Sequence, residues 1–143
     1  MGLDALVFKN KKHLPFDAEA LGAAYDADTG EYYFEDAELE QRYPPDLCVA
    51  IAKPLGNLHA IARLRDELTG VLADDSVVHA KILYSGTHTG DWLPLSALGD
   101  VEAELFVIEQ FLAGRKSQLL DQFLSNMREL IAAARREENP IVF

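Results

Sequence analysis

The sequence predicts an α+β fold, with a mainly antiparallel sheet of about three to five strands packed against three main helices. Short apolar runs typical of strands occur near both ends of the chain. Apolar residues also recur at helical spacing in three longer stretches, residues 57–72, 100–113 and 117–137. The chain has 143 residues, of which 49% are hydrophobic, which is enough for one hydrophobic core. We therefore expect residues 1–143 to form a single globular domain.

The composition is strongly acidic. Asp and Glu number 24 against 13 Lys and Arg, which gives a formal net charge of −11. A surface of this charge repels a phosphate backbone, so we expect no nucleic-acid partner. The same charge suits a basic protein partner.

Three sequence features predict a cytoplasmic protein. The single cysteine, Cys48, cannot form an intramolecular disulfide, which fits a reducing compartment. Residues 1–8 lack the basic segment and long apolar core of a signal peptide. No run approaches the roughly 18 apolar residues of a membrane span, so we expect no membrane association.

The first third of the chain predicts a buried strand and a hairpin. Residues 3–8 have mostly apolar side chains on both alternating faces, which is typical of a strand inside a sheet. The aromatic run at residues 31–35 predicts a short strand that pairs with an earlier extended piece across a turn at residues 26–30. Tyr32 and Tyr33 in this run are either packing residues or exposed binding residues.

The turn at residues 26–30 allows a second interpretation. The spacing of Asp26, Asp28 and Gly30 resembles the start of a calcium loop. The later ligands of such a loop, above all a closing glutamate, do not follow in register. We therefore expect no metal site.

Prolines delimit the elements in the middle of the chain. Residues 36–43 predict a short acidic helix that Pro44 and Pro45 stop, because proline removes a backbone donor and disfavours helix in the preceding residue. The apolar run at residues 47–52 has no clear period and fits either a buried strand or a buried helix. Pro54 is expected to end it in both cases.

A core helix is predicted after Asn57, a suitable N-cap residue. Its apolar residues fall close to one helical face: Leu58, Ile61, Leu64, Leu68 and Leu72. The nearby Cys48 is interpreted as a small buried hydrophobic residue, since no cationic group or helix start is evident to lower its thiol pKa.

Residues 77–84 alternate in a way that predicts a strand. Val78, Ala80, Ile82 and Tyr84 would form its apolar face. This strand would lead into a glycine-bracketed polar loop at residues 85–91, followed by the only tryptophan of the chain.

The polar loop is the first candidate functional site. In one interpretation His88 is a general base or metal ligand oriented by Asp91, with a second group such as His79 or Asp26. In another, the loop is a recognition surface with Trp92 as its aromatic anchor. In the third, the polar side chains satisfy backbone amides of the turn while Trp92 packs beneath it. The candidate binding residues are Thr87, His88, Thr89, Asp91 and Trp92, together with Tyr32 and Tyr33 of the hairpin.

The last third predicts two helices and a closing strand. A turn or short helix at residues 94–99 precedes a helix that Asp100 caps and that buries Val101, Leu105, Ile108 and Leu112. Gly114 ends this helix, and a longer one begins near Ser117. We expect the two helices to pack as an antiparallel pair against the sheet. The apolar residues 140–143 predict a strand that inserts into the sheet.

Several short segments resemble a known family. They are the opening Met1-Gly2-Leu3 strand, Gly90-Asp91-Trp92 after a strand-like run, two helices, and the closing Pro140-Ile141-Val142-Phe143. Together they resemble the immunity protein 70 family of bacterial polymorphic toxin systems, which has a Gly-Asp/Glu-Trp segment and a terminal Pro-Ile-Leu-Phe-like strand. The resemblance covers the C-terminal half and the first few residues.

The resemblance implies a small cytoplasmic protein that binds and neutralises a cognate toxin, and that is not an enzyme. No cofactor is expected, and the acidic charge predicts a basic toxin. Two alternatives from the residues alone stay open. One is a small metal-dependent or His/Asp hydrolase using the loop from Gly86 to Gly90, and the other is a non-enzymatic adaptor or assembly subunit.

Overall fold

The computed structural model describes residues 2–84, 88 and 91–143. Within these ranges the chain forms an α+β fold, which confirms the predicted class. The strands are β1 Gly2–Phe8, β2 Ala24–Tyr25, β3 Tyr32–Tyr33, β4 Val49–Asn57, β5 Trp92–Leu93 and β6 Ile141–Val142. The α-helices are α1 Ala37–Arg42, α2 Leu58–Leu68, α3 Leu98–Leu112 and α4 Gln118–Glu137.

The described strands form a four-stranded antiparallel sheet in the order β4-β1-β6-β5, and β2 and β3 form a separate hairpin. Strand β6 lies between β1 and β5, where Val142 pairs with Leu6 on one side and with Trp92 on the other. The prediction that the apolar tail inserts into the sheet is confirmed. This insertion places β6 between β1 and β5, so β5 forms the edge of the sheet.

The two faces of the sheet have different surroundings. Strands alternate their side chains between faces, so paired residues share a face. The inner face is buried among residues of α2, α3 and α4 and carries Leu3, Ala5, Val7, Leu93 and Ile141. The outer face points away from the helices and carries Asp4, Leu6, Phe8, Val142 and Trp92.

Helices α3 and α4 form the predicted antiparallel pair. Ion pairs join Glu102 to Arg135 and Glu109 to Arg128, so the start of one helix meets the end of the other. Ser117 caps α4 by accepting a hydrogen bond from the backbone of Leu120 at 3.3 Å. Within the predicted range 117–137, seven apolar residues at helical spacing are buried: Leu120, Phe123, Leu124, Met127, Leu130, Ile131 and Ala134. Within the described residues, no helix is long and apolar enough to cross a membrane.

The prediction that Pro54 ends this element is wrong, because strand β4 runs past it. It continues to Asn57, and an irregularity between Pro54 and Gly56 interrupts its pairing with β1. Proline is tolerated because β4 is an edge strand of this sheet, where a missing N–H costs no ladder bond on the open side. The buried Asn126 of α4 donates to the Pro54 carbonyl at 3.1 Å and so holds the strand at this point.

Helix α2 starts at the predicted cap but ends earlier than predicted. Asn57 accepts a hydrogen bond from the backbone of Ala60 at 2.8 Å. Ile61, Leu64 and Leu68 are buried, whereas the first residue, Leu58, is 74% exposed and was wrongly assigned to the apolar face. The helix ends at Leu68, and Leu72 is buried from the turn that follows.

Residues 77–84 do not form the predicted strand. Residues Val78–Ile82 are a short π-helix, in which Leu83 donates to the carbonyl of Val78 at 2.8 Å. Val78 and Ile82 are both buried, and residues four apart share a face in a strand as well as in a helix. The apolar pattern therefore did not distinguish the two structures. The carboxylate of Glu104 on α3 accepts from the backbones of Val77 and Val78 at 2.9 and 2.8 Å, so a distant side chain caps the helix start.

Candidate functional site

The predicted site residues fall in two places. Tyr32 and Tyr33 lie on the β2–β3 hairpin, while His88, Asp91 and Trp92 lie where the chain enters β5. The ring of His88 is 6.1 Å from that of Phe143, whereas Gly30 of the hairpin contacts Asn139. The two groups are therefore at opposite ends of β6. Thr87 and Thr89, also predicted as binding residues, lie outside the described residues.

Tyr84, His88 and Asp91 form a small cluster. The hydroxyl of Tyr84 donates to the carboxylate of Asp91, and its ring lies 3.9 Å from the ring of His88 with the two planes tilted by 32°. The backbone of Asp91 donates to the carbonyl of His88 at 2.8 Å. Nε2 of His88 is buried and has no hydrogen-bond partner among the described residues. The cluster is held together through Tyr84.

Among the described contacts of this cluster, the side chains of His88 and Asp91 are not paired as the hydrolase interpretation predicted. The side-chain contact seen for the Asp91 carboxylate is with Tyr84, and the link to His88 is through the backbone. The proposed second groups are engaged elsewhere, since His79 Nε2 lies 3.4 Å from the carbonyl of Leu68 and Asp26 accepts from the backbone of Asp28. In the described ranges, no three His, Cys, Asp or Glu side chains are grouped to hold a metal ion.

Trp92 lies at the surface, on the edge strand β5. It is 42% exposed and, together with Ala80, Lys81, Tyr84 and Asp91, lines a pocket of about 370 Å³. Its neighbour Leu93 points into the core and is 1% exposed. An exposed tryptophan on an edge strand is suited to contact with a partner.

A second feature is the uneven distribution of charge along the sequence. Residues 17–46, named here the acidic segment, contain ten Asp and Glu residues and one Arg. This stretch of 30 residues therefore carries −9 of the net charge of −11. The prediction of a basic partner used only the total net charge of the chain. A count of charged residues along the sequence locates most of this negative charge in the acidic segment.

The acidic segment packs on the outer face of the sheet through aromatic side chains. The rings of Phe16, Phe34 and Tyr43 lie within 4.9 to 5.7 Å of one another. Phe16 in turn packs against the apolar cluster of Phe8, Cys48 and Val142. Cys48 is 3% exposed, and burial raises the pKa of its thiol, in agreement with its interpretation as a buried hydrophobic residue.

Polar contacts at the end of α4 fix the segment and the residues that precede it. Nδ1 of His13 lies 2.5 and 2.9 Å from the carboxylate oxygens of Glu137, whose side chain is 4% exposed. Asn10 donates to the Glu137 carbonyl at 3.0 Å. The buried amide of Asn139 donates to the Phe8 carbonyl at 2.8 Å and lies directly against Gly30. The hairpin is thus attached to the body of the protein at a defined point.

The surface of the acidic segment combines carboxylates with exposed aromatic rings. Tyr25 is 52% exposed and Tyr33 is 40% exposed, and the rings of Tyr25 and Tyr32 lie 4.7 Å apart. Partial burial and the neighbouring carboxylate of Asp26 raise the pKa of Glu31. A positive group brought close to this pair would favour the ionised form of Glu31. The hairpin therefore offers both negative charge and aromatic area to a partner.

A groove near the other end of α4 is lined by three basic residues together with Glu67. Arg63, Arg115 and Lys116 line this groove of about 790 Å³ near the start of the helix, and the guanidinium of Arg115 lies 4.1 Å from the ring centre of Phe111. A helix of 20 residues is about 30 Å long. The acidic segment is attached near the end of α4, so this groove and the acidic segment lie toward opposite ends of the helix. Basic residues also lie near the end of α4, where Arg135 and Arg136 are in the last turn and Lys12 pairs with Glu138.

The chain was compared with protein-family models, with curated proteins and with solved structures, and none of these matches it. Its function is therefore inferred from its own charge, exposed side chains and contacts.

Proposed function

We propose that this chain is an immunity-type protein that binds and neutralises a basic bacterial toxin in the cytoplasm. The observation that carries the proposal is the net charge of −9 in residues 17–46, a segment whose hairpin also exposes Tyr25 and Tyr33. Such a surface complements the positively charged face of a protein that binds nucleic acid or another anionic substrate.

The acidic segment suits rapid and stable association. Clustered charge of one sign raises the rate of encounter with an oppositely charged protein, and the effect weakens as salt increases. Aromatic side chains such as Tyr33 then contribute contact area at low cost in conformational entropy. Gly30 of the segment lies against the buried amide of Asn139, and His13, just before the segment, contacts Glu137. These contacts hold the segment in place before binding, which reduces the ordering cost on association.

Two of the segments that resemble immunity proteins lie side by side in the sheet through their described residues. Gly90-Asp91-Trp92 and the closing residues 140–143 are far apart in the sequence, yet Trp92 pairs with Val142 and Leu93 with Ile141. This pairing supports the proposal because it brings the two resembling segments to one place in the sheet.

An adaptor role is the second candidate, since exposed tyrosines also occur at permanent interfaces. An adaptor predicts a partner that is harmless when it is produced alone. An immunity protein predicts a partner that is toxic under the same conditions.

The proposal is tested by capture of partners with a tagged chain in its native host, at low and at high salt. We expect one basic protein in near-stoichiometric amount at low salt and much less of it at high salt, because screening weakens interactions between exposed charges. Capture of no basic protein under low-salt conditions would contradict the proposal.

A further inference from the structure

The outer face of the sheet is only partly covered by the acidic segment. Phe16 and the residues around it lie over Phe8 and Val142. Further along the face, Asp4, Ala52 and Pro54 are exposed, Leu6 is half-buried, and Trp92 is 42% exposed. We name these five residues the outer patch: Asp4, Leu6, Ala52, Pro54 and Trp92.

The register places the residues of the outer patch on one face of the sheet, with the buried Val142 between Trp92 and Leu6. Trp92 pairs with Val142, Val142 pairs with Leu6, and Leu6 pairs with Ala52, so these four side chains form one row across the sheet. Asp4 pairs with Pro54 on the same face. Since Leu6 and Val142 also belong to the cluster beneath Phe16, the outer patch borders the base of the acidic segment.

We infer that the outer patch is the apolar centre of the interface whose charged part is the acidic segment, and that it takes an apolar protrusion of the same basic partner. The inference rests on the proposed function. Interfaces commonly place a few aromatic anchors in an apolar centre and surround them with polar contacts. Here Trp92 is the anchor, and the acidic segment supplies the polar part on one side.

The negative charge of the acidic segment favours a basic protein over a second copy of the chain as the occupant of the outer patch. Two copies that met through their outer patches around a twofold axis would bring two acidic segments, each of −9, close together. Like charges across an interface disfavour association. An anionic lipid surface would be repelled for the same reason. A protein with lysine and arginine around exposed apolar side chains complements both parts of the surface.

Two synthetic peptides of equal charge test this inference without knowledge of the partner. The first is a helical peptide with leucine and lysine on opposite faces, and the second is an oligolysine. We expect both to bind the acidic segment, and only the first to place apolar side chains on the outer patch. Trp92 is the only tryptophan of the chain, so its emission reports contact at this patch directly. The leucine-containing peptide should shift the emission to shorter wavelength, and oligolysine should not.

Substitution of Trp92 provides the quantitative test. We expect Trp92→Ala to weaken binding of the leucine-containing peptide about tenfold, as for an interface anchor, and to change oligolysine binding by less than about twofold. Trp92→Phe should restore most of the loss, which guards against a folding defect. The matched control is Phe106→Ala, because Phe106 is 59% exposed on helix α3 and lies away from the outer face. This control should bind both peptides as the unmodified chain does.

The outcomes separate the inference from the proposed function. If Trp92→Ala and Phe106→Ala bind the leucine-containing peptide equally well, or if the emission of Trp92 does not shift, the outer patch is not the apolar centre. If amides in place of carboxylates in the acidic segment leave the binding of both peptides unchanged, the acidic segment is not the charged part. That result would overturn the proposed function together with the inference.

Discussion

Replacement of Asp28, Glu35, Glu38 and Glu40 by their amides is expected to lower the affinity for the captured basic partner about thirtyfold at low salt. All four side chains are exposed, and the contacts described for them include no cap or ion pair, so the fold should be retained. Exposed charge pairs contribute about 0.5 kcal/mol each, and a total of about 2 kcal/mol corresponds to about thirtyfold in affinity. Calorimetric titration at two salt concentrations measures the effect.

A second variant with the same net charge as the first tests whether affinity depends on the position of the carboxylates or only on their number. Asn in place of Asp66, Asp74, Asp75 and Asp100 also changes the net charge from −11 to −7, but outside the acidic segment. These residues are exposed as well. We expect this variant to lose less than about threefold in affinity, chiefly through slower association. Equal losses in the two variants would show that total charge matters and that the acidic segment is not the binding site.

Substitution of Gly30 by alanine is expected to destabilise the protein by about 3 kcal/mol. Gly30 has a φ of 81°, and a Cβ at this position would lie 2.2 Å from Oδ1 of Asn139. The left-handed backbone costs an alanine about 1 kcal/mol. Displacement of Asn139 would also remove the donor of the Phe8 carbonyl, which costs about 1 to 3 kcal/mol for a buried group. Urea unfolding measures the change in the free energy of unfolding.

Gly22→Ala is the matched control for this prediction. Gly22 has a similar φ of 70°, yet no atom lies within 4 Å of the Cβ that would be added. It should therefore lose only the backbone contribution of about 1 kcal/mol. The difference between the two variants reports the contact between Gly30 and Asn139. If both variants lose the same stability, that contact does not hold the hairpin on the body of the protein.

The fold could be predicted where one periodicity dominates and a capping residue is present. Helix α4 has a long apolar stripe and a serine cap at Ser117, and the predicted start and buried residues are confirmed. The segment at Val78–Ile82 has neither a long stripe nor a decisive period. Its helical form depends on Glu104 of α3, and local sequence cannot show such a long-range contact.

The site could be predicted only in part. Trp92 stood out as the only tryptophan next to a glycine-bracketed loop, and the structure places it at the surface. The outer patch depends on the order of the strands, because Leu6, Ala52 and Trp92 come to one row of the sheet only after β6 has inserted between β1 and β5. Strand order follows from the packing of the whole chain and is not visible in any single segment.

The most direct measurement is growth of bacteria that produce the captured basic protein with and without this chain. We expect the captured protein to arrest growth when it is produced alone, and co-production of the unmodified chain to restore growth. The variant with amides at positions 28, 35, 38 and 40 should protect poorly, while the variant of equal charge should protect well. Growth that is normal without the chain, or protection that is unchanged in the first variant, would contradict the proposal that the acidic segment neutralises a toxin.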